Sequence, residues 1–105
     1  MPVEIVELLP STTDNKRFKI VLNIDGNDYT YNFGAKEGST FIDHGDERKR
    51  RNYRLRHYAN PIEKYRIDNL IPSASLFSMK LLWGESTDLL DNLIELQREF
   101  NTKYK

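Results

Sequence analysis

His44, Asp46, Asn52 and His57 are the side chains here that could hold a metal ion and activate a water, as in a nuclease of the His-Asn-His type. That chemistry needs ligands that converge. His44 and His57 are thirteen positions apart, which on a helix turning about 100° per residue leaves them roughly 220° apart around the axis. No second carboxylate site accompanies them, so His44 is expected to cap a helix or bond a sheet edge, with no metal and no cofactor. Asp25 and Asp28 flank a turn, where aspartate forms turns far more often than it acts as a general acid. The chain has no Ser/His/Asp pattern, no phosphate-binding loop and no dinucleotide-binding glycine signature. A non-enzymatic role is expected.

Between the two histidines lies a different chemistry. Arg48, Lys49, Arg50, Arg51, Arg54 and Arg56 place six cations in nine residues. With Tyr53, His57 and Tyr58 among them, they support three readings. They can grip phosphates while a tyrosine stacks on bases. They can form a protein interface, since Arg and Tyr are enriched where binding energy concentrates. Or they can face the chain's own acids at Glu4, Glu7, Glu37 and Asp43.

The elements that must position these residues follow from periodicity. Val3 to Leu8 is β-rich and partly alternating. Arg17 to Ile24 puts Phe18, Ile20, Leu22 and Ile24 on one face. Asp25-Gly26 then signals a hairpin. Tyr29 to Phe33 returns with Tyr29, Tyr31 and Phe33 on one face, and Thr40 to Asp43 adds a short fourth strand. Asp46 opens the basic helix, with acids at its start and bases toward its end as the helix dipole favours. Its apolar residues are sparse: Leu55 and Tyr58 share a side and Tyr53 points elsewhere, so much of it is solvated or meets a charged partner. Asn60-Pro61 ends it, and residues 61–73 read as a linker with one helical turn around Ile62–Tyr65. Leu76 to Trp83 is a buried helix sealing the sheet, with Trp83 in the core and Gly84 as its stop. The last helix starts at Thr87-Asp88 with Leu89, Leu93, Leu96, Phe100 and Tyr104 on one face and Leu90, Ile94 and Gln97 beside them. The expected fold is α+β: a small antiparallel meander of three to four strands followed by about three helices packed on one face, in a single domain spanning residues 1–105.

Bulk composition is compatible with this. The chain has 105 residues, 38% hydrophobic and 30% charged, and a formal net charge of zero. The charge is segregated: residues 1–47 are net −5, residues 48–66 net +7 and residues 67–105 net −2. A general nucleic-acid coat protein is more often basic overall. There is no cysteine, which excludes disulfides and thiolate metal sites. No apolar run approaches the roughly 18–20 residues of a membrane span, and the acidic start, MPVEIVELLP, is unlike a signal peptide.

Phe33-Gly34-Ala35, His44 with Asp46, Glu47-Arg48-Lys49, Tyr53, Arg56-His57 and Leu81-Leu82-Trp83 occur in that order. The pattern resembles a family of small uncharacterised proteins of large eukaryotic DNA viruses, over about residues 18–100. The chain departs from that pattern in having Gly45 where the family has a lysine, one tryptophan where it has two, and a longer and different stretch between Asn60 and Leu76. The resemblance implies a viral origin, a virion component, and a place in the virion or the virus factory of the infected cell. It carries over no catalytic residue. The function expected is a viral structural or accessory protein, a minor capsid or cement-type component. It would dock acidic protein surfaces, other virion proteins or itself through Arg48, Lys49, Arg50, Arg51, Tyr53, Arg54, Arg56 and His57, with no membrane partner. The alternative is a nucleic-acid-binding accessory protein using the same residues.

Overall fold

The structure, a computed structural model, describes residues 2–104. Three strands, β1 (Val3–Pro10), β2 (Lys16–Ile24) and β3 (Asn27–Ala35), form an antiparallel sheet in the order β1-β2-β3. The β2–β3 connection is the two-residue loop Asp25-Gly26, with φ of 54° and 85°. Two successive left-handed residues match the twist of the flanking strands, which is why Asp-Gly sits there. Ile20 pairs with Tyr31 and Phe18 with Phe33, so the alternating apolar positions of both strands share one face. β1 carries a bulge between Ile5 and Glu7.

Among the described residues five α-helices follow: α1 (Phe41–His44), α2 (Glu47–Tyr58), α3 (Pro61–Asp68), α4 (Ala74–Phe77) and α5 (Leu89–Lys103). α4 runs directly into a π-helical segment, Ser78–Leu82. The core joins Val3, Ile20, Leu22 and Phe33 of the sheet to Leu76, Phe77, Leu81 and Leu82 and to Leu96 and Phe100 of α5. The α+β architecture expected from the sequence is therefore present, with the buried Leu76–Trp83 segment against the sheet.

Two elements differ from expectation. Thr40–Asp43 is not a fourth strand. The Asp43 carboxylate accepts hydrogen bonds from the Thr40 backbone N–H (2.8 Å) and hydroxyl (2.9 Å), folding the segment into the first turn of α1. Arg17 of β2 clamps the same carboxylate through both oxygens at 2.7 and 2.6 Å. Residues 61–73 are not mainly linker: Asn60 accepts from the backbone of Ile62 and Glu63, and Pro61 occupies the first turn of α3, where its missing N–H costs nothing. The Asn-Pro pair thus ends one helix and starts the next.

The exposed edge of β1 is covered in an unexpected way. The Gln97 side chain of α5 donates to the Val3 carbonyl (2.9 Å) and accepts from the Ile5 N–H (2.7 Å). One amide therefore occupies two of the edge groups, at the start of β1, where a neighbouring strand would otherwise add.

The Arg17–Asp43 pair makes stability pH-dependent. Hydrogen bonding from Arg17 holds the Asp43 carboxyl well below the usual carboxylate range, with Thr40 assisting against the opposing effect of burial. A depressed folded-state value contributes stability that is complete above the unfolded-chain value near about 3.9 and is lost as pH falls toward the folded one. Asp43→Asn is accordingly expected to lower the urea midpoint at pH 7, with the gap from the parent shrinking below about pH 4. A gap independent of pH would show that the carboxylate charge contributes nothing.

Candidate functional site

α2 is positioned by its ends and by one face. The Asp46 side chain accepts from the N–H groups of Arg48 (2.9 Å) and Lys49 (3.2 Å), and those bonds hold its carboxyl below its ordinary value. His44 Nδ1 accepts from the Asp46 N–H at 2.9 Å, the capping role expected of it. No residue of α2 is buried, so hydrophobic burial alone does not seat the helix.

What seats it is a set of polar and aromatic contacts to the end of the π-helical segment. Arg50 Nε donates to the carbonyls of Trp83 (3.2 Å) and Gly84 (2.8 Å), and Arg54 donates to that of Trp83 (3.0 Å). These are carbonyls at a helix C-terminus, which lack intrahelical partners and favour positive charge. Tyr53 lies flat on Trp83, with ring centroids 4.3 Å apart and planes within 8°. The His57 ring lies 4.1 Å from Tyr53, and Arg56 sits over the same phenol. Burial, with the nearby Glu63 charge, pushes the Tyr53 hydroxyl up to about 12. His57 is held in turn by Glu63 of α3 at 3.1 Å.

The eight residues singled out from the sequence therefore divide. Arg50, Arg54, Tyr53 and His57 face the protein and hold α2 in place. Arg48, Lys49, Arg51 and Arg56 are exposed. Among the described residues the ion pair of α2 with a carboxylate is Arg50–Glu47 at 3.7 Å, apart from the His57–Glu63 contact. Self-neutralisation by Glu4, Glu7, Glu37 and Asp43 is not what the structure shows. Asp43 belongs to Arg17.

The exposed face also has a concavity. Ser39, His44, Lys49, Asn52, Tyr53, Arg56 and Trp83 line a cleft of about 310 Å³. Lys49, Asn52 and Arg56 lie at i, i+3 and i+7 along α2, so one stripe of donors runs down its wall. The α2–α3 hairpin adds large apolar side chains in the open: Leu55 is 64% exposed, and Ile62 and Tyr65 are each 62% exposed. Sequence periodicity pointed to Leu55, whereas Ile62 and Tyr65 were hidden in a presumed linker.

Among the described residues no group of three or more His, Asp or Glu side chains is placed to hold a metal ion. Nor is any described helix long and apolar enough to cross a membrane. No curated protein and no solved structure matches the chain. Residues 6–57, running from β1 to the last turn of α2 and so including every cation of that helix but neither Trp83 nor α5, match the model of a family of unknown function (DUF5754).

Proposed function

We propose that this chain is a non-enzymatic docking protein whose α2 face meets an acidic protein surface. The observation that carries the reading is the make-up of that face. Arg48 and Arg51, without an acidic partner among the described residues, share a side of α2 with Leu55, which is 64% exposed, and the equally unpaired Lys49 and Arg56 lie on the stripe beside them. Charge complementarity sets orientation and approach, and exposed aliphatic and aromatic groups supply apolar area to bury. In the viral setting that the motif resemblance implies, the partner is another virion protein and the chain a minor capsid or cement-type component.

The nucleic-acid alternative loses one support. Binding of single strands draws on open aromatic faces, and Tyr53 has Trp83 on one side and His57 close by, with Arg56 over its ring. Phosphate contacts from the arginines would remain.

The test is a salt-series titration against poly-glutamate, single-stranded DNA and duplex RNA. Poly-glutamate is expected to bind, and Arg48→Glu with Arg51→Glu to weaken it at least about tenfold with the fold intact. Preferential binding to nucleic acid, falling by several decades between about 50 and 200 mM salt, would overturn the protein-docking reading.

A further inference from the structure

The chain is formally neutral, yet Arg48, Lys49, Arg51 and Arg56 have no acidic partner among the described residues. Beside the unpaired cations of α2, the opposite sign collects around the start of α5. Residues 84–99 carry five acidic side chains and one basic. Glu85, Asp91, Glu95 and Glu99 line a groove of about 550 Å³. Two of these acids have local cations, Glu99 with Lys80 and Glu95 with Arg98. Next to them on α5, Leu90 and Ile94 are 60% and 52% exposed. Their i, i+4 spacing puts them on one stripe, beside the i, i+4 pair Asp91 and Glu95. This face thus resembles the α2 face with the sign reversed: exposed aliphatic groups beside an excess of one charge, of which Glu85 and Asp91 have no cationic partner among the described residues and Glu95 has only the exposed Arg98.

The acidic groove reaches the inner side of α2. Arg54 belongs to α2 and also lines the acidic groove. The whole chain is formally neutral, so no net charge repels one copy from another.

We infer that a second copy of this chain is an acidic partner of α2, its Arg48–Arg51–Leu55 face seating on the Glu85, Leu90, Ile94 and Glu95 face of the other copy. This rests on the docking reading above and names its partner. A two-fold axis lets the pairing form twice, as an isologous dimer.

Sedimentation velocity of the purified full chain tests this, at concentrations from about 1 to 300 μM in low and high salt. The mass is expected to double with concentration, and the midpoint to move upward in high salt. Two charge-reversed forms separate the faces: Arg48→Glu with Arg51→Glu, and Glu85→Lys with Glu95→Lys. All four positions are exposed, and circular dichroism confirms folding. Each form alone is expected to dimerise at least about tenfold more weakly, and an equimolar mixture to regain dimers, because the reversed α2 face of one form complements the reversed α5 face of the other while their two unaltered faces still match. A parent that stays monomeric throughout, reversed forms that dimerise like the parent, or a mixture that stays monomeric would each overturn the inference. A monomeric parent that still binds poly-glutamate through Arg48 and Arg51 would leave the docking reading standing.

Discussion

Asn92→Ala is expected to destabilise the protein by about 3 kcal/mol, read as a lowered urea midpoint with an unchanged slope. Asn92 is buried in α5, and its amide is fully used. Nδ2 donates to the carbonyls of Leu81 (3.0 Å) and Ser86 (2.8 Å), and Oδ1 accepts from the Ser86 N–H (3.0 Å). Truncation leaves the buried Leu81 carbonyl and the half-buried Ser86 groups without these partners, at about 1–3 kcal/mol for each one that stays buried. Packing offers no relief. A Cβ on Gly84 would fall on the Lys80 carbonyl oxygen and within 2.8 Å of the Asn92 amide, so the chain turns here only because residue 84 has no side chain. The junction matters for the site because the Trp83 and Gly84 carbonyls on which α2 is moored lie in it. Loss of under about 1 kcal/mol in Asn92→Ala would mean that the loop from 83 to 88 reorganises freely.

The parts of the fold legible in the sequence were those set by near neighbours. Alternation from Phe18 to Ile24, the Asp25-Gly26 turn and the apolar stripe of α5 each fix their structure within a few residues. Thr40–Asp43 was misread because Thr, Phe and Ile favour strands by type. The same four residues also spell a capping box, and Arg17, 26 positions away, ligates Asp43 and stabilises the helical form. The site was legible in outline only. Arg50 and Arg54 are indistinguishable by type from Arg48 and Arg51. What sorts them is a pair of carbonyls 29 to 34 positions downstream. One signal was available: Arg50, Tyr53, Arg54 and His57 sit at i, i+3, i+4 and i+7, a single stripe carrying two of the helix's three aromatic rings. The role of Gln97 on the β1 edge had no local signature, since its partners lie more than 90 positions away.

That sorting predicts opposite outcomes for two double truncations of the same helix. Arg50→Ala with Arg54→Ala is expected to cost about 3–4 kcal/mol, since hydrogen bonds from a charged donor contribute about 1.5–3 kcal/mol each and the acceptors are otherwise unpaired. Arg48→Ala with Arg51→Ala should stay within about 1 kcal/mol, as exposed positions without partners do. A second readout follows from the stack. The Tyr53 hydroxyl, held at about 12 by burial beside Glu63, should return toward about 10 if α2 lifts from Trp83. Ultraviolet titration of the first double variant should then lose its latest-ionising tyrosine, and that of the second should keep it. Equal costs for both pairs would mean that α2 is held by its caps and by α3, not by the carbonyls at 83 and 84. The distinction also governs any binding assay on this helix. Changes at Arg50 or Arg54 confound loss of contact with loss of the helix's seat, whereas changes at Arg48 and Arg51 alter only the surface that a partner meets.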